Sequence, residues 1–129
     1  MSIRPKIIYP KLSYIITGLC FSIHNEYGRF LREKQYATHL ETKLKEEQLN
    51  YQREVEIGDS HNIVDFIIED KIILELKAKR AITKKDYYQT QRYLQETGIK
   101  LGLLINFRNK FLKPKRIIKI DTPAKIKYQ

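Results

Sequence analysis

Residues 62–78 read NIVDFIIEDKIILELKA: two apolar runs rich in β-branched residues, Ile63 to Ile68 and Ile72 to Leu76, separated by Glu69, Asp70 and Lys71. A separator of that length joins two antiparallel strands. Side chains alternate along a strand, so Val64, Phe66 and Ile68 are expected on one face and Ile63, Asp65 and Ile67 on the other. In the second strand Ile72, Leu74 and Leu76 share a face, and Ile73, Glu75 and Lys77 share the opposite one. Three ionisable side chains therefore sit inside strongly apolar strands. Burying a charge costs several kcal/mol unless it is paired or coordinated, so Asp65, Glu75 and Lys77 require compensation.

The 129 residues include 25 basic and 15 acidic side chains, a formal charge of +10. A surplus of that size on one domain favours a polyanionic partner, nucleic acid or an acidic membrane surface. The single cysteine, Cys20, excludes an intramolecular disulfide and suits a reducing compartment, so the expected location is cytoplasmic. Cys20 falls in a helical apolar pattern and reads as packing. The apolar segment Tyr14 to Phe21 follows basic residues but lacks a small-x-small cleavage site. It is well short of the roughly 18 residues that span a bilayer, and no membrane association is expected.

Upstream of the hairpin, residues 1–11 contain Pro5 and Pro10 and read as an extended basic arm, with Ser13 as a helix N-cap. Apolar positions from Leu12 to Ile23 follow a helical period, which Asn25 to Gly28 ends. A second helix is expected from about Phe30 to Leu49, burying Ala37, Leu40 and Leu44. One turn earlier on that line stands Glu33, either out of place on a buried face or exposed at the favourable N-terminal dipole. Glu41, Lys43, Lys45, Glu46 and Glu47 form a solvated face. Tyr51 to Ile57 reads as a strand and Gly58 to Ser60 as a turn.

Downstream, Thr83 with Asp86 three residues later forms a capping signal for a helix from Lys84 to Glu96, stopped by Gly98. Leu101 to Phe107 is nearly all apolar, as in a central strand covered on both faces. Arg116 to Ile120 reads as an edge strand. Two helices, three strands, a helix and one or two strands make an α/β sandwich with a mixed sheet. No glycine-rich phosphate loop and no zinc-type Cys/His spacing occur. His24, His39 and His61 read as incidental.

The order Asp65, then Glu75-Leu76-Lys77, resembles the PD-(D/E)XK nuclease superfamily. The resemblance extends to Phe30-Leu-Arg-Glu33-Lys-Gln-Tyr36, similar to the motif of the small proteins named for the pattern GxxExxY. Phe30 stands where that pattern has glycine, and Gly28 lies two residues earlier. Gln89 to Gly98 and Gly102 to Phe107 are similar to that family's closing helix and strand. The match covers roughly residues 12–118.

The resemblance implies a restriction-endonuclease-like core, a helix-βββ-helix-β sandwich over residues 12–120, between the basic arm (1–11) and a basic tail (121–129). It implies a metal-dependent nuclease acting on DNA in preference to RNA, with Asp65, Glu75 and Lys77 catalytic and Gln89 and Tyr93 in support. Asp65, Glu75 and Glu33 would hold Mg²⁺ or Mn²⁺, an ion that carboxylates bind while it keeps several waters. Lys77 would orient water or stabilise developing charge. Lys79, Arg80, Lys113, Lys115 and Arg116 would hold the nucleic-acid backbone. A domain this small is compatible with a homodimer. The alternative is a non-catalytic nucleic-acid-binding or assembly module of the same fold. A third class, a protein-interaction domain with an incidental basic surface, ranks last.

Overall fold

A computed structural model describes residues 8–121. Most of the expected arm and all but the first residue of the tail lie outside that range. The described chain forms α1 (Pro10–Tyr27), α2 (Glu33–Glu46), β1 (Tyr51–Ile57), β2 (Asn62–Ile68), β3 (Ile72–Lys77), α3 (Lys84–Thr97), β4 (Leu101–Asn106) and β5 (Lys115–Ile118). The strands lie in one sheet in sequence order, β1-β2-β3-β4-β5. All neighbours are antiparallel except β3 and β4, which run parallel and are joined through α3. A parallel pair needs such a crossover, whereas the antiparallel neighbours need only short turns. The mixed α/β architecture expected from the sequence is present.

Helices cover both faces. Ile16, Cys20 and Ile23 of α1 and Tyr36, Leu40 and Leu44 of α2 pack on Phe66, Ile68, Leu74, Leu76, Leu103 and Ile105. On the other face Tyr93 and Leu94 of α3 meet Ile67, Ile73, Leu104 and Ile117. Every residue of β4 is buried, as its unbroken apolar run requires. Gly102 admits α3 at close range: a Cβ there would stand 2.8 Å from Thr90 Cγ2. Each fully buried Ile or Leu of this core contributes about 1.5–3 kcal/mol of transfer free energy.

Three local expectations are corrected. The first helix begins at Pro10, and Ser13 lies within it, its Oγ donating to the Pro10 carbonyl at 3.2 Å. Proline suits a helix's first turn because its missing N–H would have no partner there. Glu41 is not simply solvated: it pairs with Arg53 of β1 at 3.3 Å. The third correction concerns strand faces. Val64 joins the α3-side cluster with Ile67, while Phe66 and Ile68 face α1 and α2.

The cause of that switch is a coordinated break in two strands. Arg53 pairs with Phe66 and Val55 with Val64, but Glu54 and Asp65 drop out between them. Glu54 has φ 55°, a left-handed conformation that interrupts the pleat. On one side of the break, Tyr51 packs toward α1 and α2; on the other, Val55 and Ile57 pack toward α3. Asp65 sits at the pivot.

Candidate active site

The β2–β3 register runs Ile68↔Ile72, Ile67↔Ile73, Phe66↔Leu74. The next residues outward are Asp65 and Glu75, and there the backbone ladder stops. Their carboxylates take over the orphaned amides. Asp65 N–H donates to Glu75 Oε1 at 2.9 Å, and Leu76 N–H donates to Asp65 Oδ2 at 2.7 Å. An amide left unpaired in a core costs about as much as a lost hydrogen bond, so this substitution closes the gap while leaving oxygen lone pairs on both acids.

Glu75 is buried and Asp65 half-buried. Burial raises the Asp65 pKa, opposed by the Leu76 hydrogen bond and reinforced by Glu33. Burial and the facing Asp65 push Glu75 up to about 8. The Tyr93 phenol, on α3, is pushed up to about 12 by burial and by the Glu75 and Asp65 charges, so it keeps its proton at neutral pH. Lys77 points to the same helix: Nζ donates to Gln89 Oε1 at 3.4 Å and lies 3.9 Å from Asp86 Oδ1. Gln89 and Tyr93 are four residues apart and so lie on one helical face.

Glu33 is the first residue of α2 and is exposed there, at the positive end of the helix dipole. It lines a recess of about 60 Å³ with Ala37, Arg53, Glu54 and Asp65. The exposed, dipole-favoured alternative is the one adopted. Among the described residues no three His, Cys, Asp or Glu side chains form a ready-made metal cage. Asp65 and Glu75 nevertheless fit a hard divalent cation, which takes one or two carboxylates and fills the remaining positions with water and phosphate oxygens.

Asp86 is the residue whose part at the site was missed. It caps α3 as expected, accepting from Thr83 N–H at 2.8 Å. It also pairs with Lys79 and stands beside Lys77. Burial acts to raise its pKa, but hydrogen bonds from Lys79 and Thr83 outweigh that and hold it below the usual carboxylate range. The capping signal hides this second use, since only the fold brings the end of β3 to the start of α3.

The expected backbone-binding residues divide. Arg80 and Lys113 line a groove of about 670 Å³ together with Arg29, Arg108 and Lys110. Phe30, Phe111 and Asn109 complete its walls. The interleaving of basic and aromatic residues in Arg29-Phe30 and Arg108-Asn109-Lys110-Phe111 is the signal that could have found it. Lys115 and Arg116 lie elsewhere, in a cavity with Lys84 and Tyr87. The Arg116 guanidinium donates to Ser13 Oγ and the Ile8 carbonyl, both at 2.6 Å, tying α1 to β5. The histidines stay apart from the acids: His24 bonds the Asn109 carbonyl, His39 stacks on Tyr27, and His61 pairs with Glu56. Cys20 is fully buried, its thiol pushed up to about 12 by burial.

No helix among the described residues is long and apolar enough to cross a membrane. No curated protein matches the chain in sequence. The fold is similar to the crystal structure of SSO0001, with a TM-score of 0.52 and 22% identity over 86% of this chain and 69% of that one. A family model of the PD-(D/E)XK nuclease superfamily matches residues 10–119, from the first residue of α1 past the end of β5. A match over that span shows that the chain belongs to the PD-(D/E)XK nuclease superfamily.

Proposed function

We propose that this protein is a divalent-metal-dependent nuclease that hydrolyses phosphodiester bonds in nucleic acid, DNA in preference to RNA. The observation that carries the reading is the placement of Asp65 and Glu75 opposite each other where β2 and β3 part, with Lys77 two residues further on. Asp65 and Glu75, with Glu33 nearby, would hold Mg²⁺ or Mn²⁺, which when bound neutralises phosphate charge and makes a water more acidic. The finer placement among GxxExxY proteins is supported by Glu33 at the head of α2 and by Tyr36, which locks the preceding loop. A cytoplasmic site of action is in keeping with the lone, buried Cys20.

The chain's own residues divide the remaining work. Lys77, braced by Gln89 and near Asp86, presents its ammonium to a phosphate oxygen, where a fixed donor stabilises charge that grows in the transition state. Glu75 gives up its proton when a cation offsets its burial. Tyr93 stays neutral and excludes water behind the acids. Arg80 and Lys113, in the groove beyond the end of β3, attract the phosphate backbone.

The test is cleavage of supercoiled, linear and branched DNA, and of RNA, by purified protein with Mg²⁺, Mn²⁺ or EDTA. Asp65→Asn and Lys77→Ala are assayed beside the wild type. Metal-dependent cutting that both substitutions abolish is the expected outcome. Binding without cutting, indifferent to Asp65→Asn, would replace this reading with a non-catalytic binding module.

A further inference from the structure

The groove carries more than charge. Phe30 is 74% exposed and Phe111 69% exposed, although rings of that size gain most by burial. Arg29 and Arg108 lie 5.0 and 5.4 Å from the Phe30 centroid, and Lys110 lies 5.5 Å from that of Phe111. None of the five cations around the groove is in an ion pair among the described residues, and no acid lines it. Arg29 Nε is shielded from water yet has no hydrogen-bond partner among the described residues, a donor that an acceptor on a bound ligand would satisfy.

The walls are held in place before any ligand arrives. Arg108 Nε donates to the Arg29 carbonyl at 3.1 Å, joining the α1–α2 link to the β4–β5 link. Asn106 Nδ2 donates to the Lys79 carbonyl at 2.8 Å, and Lys79 N–H donates back to Asn106 Oδ1 at 3.1 Å. Phe107 N–H donates to the Lys77 carbonyl at 2.9 Å. The groove thus opens at the end of the strand that carries Glu75 and Lys77.

We infer that this groove binds a single-stranded polynucleotide, with unpaired bases stacked on Phe30 and Phe111 and phosphates on Arg29, Arg80 and Arg108. The inference deepens the nuclease reading and rests on it for nucleic acid as the ligand. Cations alone would serve a duplex, which offers phosphates along its whole length. Exposed aromatic faces serve only a strand whose bases are free to turn out, and the combination of a basic groove with aromatic platforms is what single strands select. The substrate class is therefore nucleic acid with an unpaired end, flap or gap, its single-stranded part seated at the end of the strand that carries Glu75 and Lys77.

The experiment is fluorescence anisotropy in EDTA at fixed salt, using the full chain and a labelled oligothymidylate of about 12 nucleotides, within the span one such site covers. A duplex of equal length and an abasic strand of equal charge are measured in parallel. The wild type should bind the single strand at least about tenfold more tightly than either control. Phe30→Ala and Phe111→Ala should each weaken single-strand binding about 5- to 100-fold and leave duplex binding nearly unchanged. Equal affinity for all three ligands, no binding at all, or single-strand affinity indifferent to both substitutions would overturn the inference.

Ultraviolet crosslinking of the wild type to the same strand gives a readout free of folding effects. Adducts on the peptides containing Phe30 and Phe111 are expected, and adducts confined to other peptides would count against the groove. Metal-dependent cleavage together with Phe-independent binding would sink the groove alone. Phe-dependent binding without cleavage would sink the nuclease reading alone.

Discussion

Asp65 and Glu75 replace a backbone ladder with their side chains: Asp65 N–H donates to Glu75 Oε1, and Asp65 Oδ2 accepts from Leu76 N–H at 2.7 Å. The two acids are held together because each satisfies an amide that the diverging strands abandon. Divergence and acidity are thus one arrangement. Apolar side chains at these positions would leave the Asp65 and Leu76 amides buried without acceptors.

The first prediction concerns pH. Burial and Asp65 raise the folded-state pKa of Glu75 from 4.5 to about 8. The native state therefore holds a proton that the unfolded chain releases. The resulting stability is full below about pH 4.5 and is lost as pH climbs through about 8. In EDTA the wild-type melting temperature should fall over that window, by an amount worth a few kcal/mol. Glu75→Gln should flatten the curve and raise the midpoint at pH 8. Circular dichroism melts of both proteins across the window decide it; an equally steep slope in the variant would assign the pH dependence to another group.

Divalent cations should act in the opposite sense. Binding to the ionised pair stabilises the fold by about 1.4 kcal/mol at tenfold excess over Kd, a rise of about 5 °C for a domain of this size. Differential scanning fluorimetry at pH 8 with Mg²⁺ or Mn²⁺ should show that rise in the wild type. Asp65→Asn and Glu75→Gln should abolish it. Glu33→Gln should retain most of it, since Glu33 stands exposed at the helix start.

Asp86 serves as cap and as counter-ion, and two substitutions separate these uses. Asp86→Ala loses both, and should cost about 1–2 kcal/mol of stability in urea unfolding. Asp86→Asn keeps an acceptor for Thr83 N–H and should cost less. Both should lower cleavage, because Lys77 and Lys79 lose their shared carboxylate. An Asn variant with undiminished cleavage would reduce Asp86 to a cap.

Tyr36 binds the loop ahead of Glu33. Its hydroxyl donates to the Gly28 carbonyl at 2.7 Å and accepts from Leu31 N–H at 3.1 Å, while its ring stacks on Phe107 at 4.1 Å. Tyr36→Phe should destabilise the protein by about 1–3 kcal/mol, measured by urea unfolding. It should also weaken single-strand binding, because Arg29 and Phe30 lie on the loop it holds. A variant as stable as the wild type would show that water replaces both bonds.

The sheet was legible because its signals are local. The runs at 62–78 and 101–107 contain enough β-branched and apolar residues to define strands without reference to the rest of the chain, and Thr83 with Asp86 marks a helix start in four residues. The acidic pair follows from the hairpin, which fixes which residues face one another. The groove did not follow, because Arg29 and Arg108 are far apart in sequence and only the packing of α1 against the end of β4 brings them together. The face switch at Asp65 was equally hidden. Strict alternation is the default for a strand, and nothing in Arg53-Glu54-Val55 announces a left-handed backbone at a glutamate.

That glutamate also governs the border of the sheet. β1 is an edge strand, and Glu54 at φ 55° breaks its outward row of amides and carbonyls. At the opposite edge, β5 is only four residues long and carries Lys115 and Arg116. Long, flat, unbroken borders are the templates on which sheets extend from one molecule to the next. Here one border is kinked and the other is short and charged, features that work against edge-to-edge growth. The two apolar segments, Ile63 to Ile68 and Ile72 to Leu76, are inner strands of the sheet, and the interrupted and short strands stand at its borders.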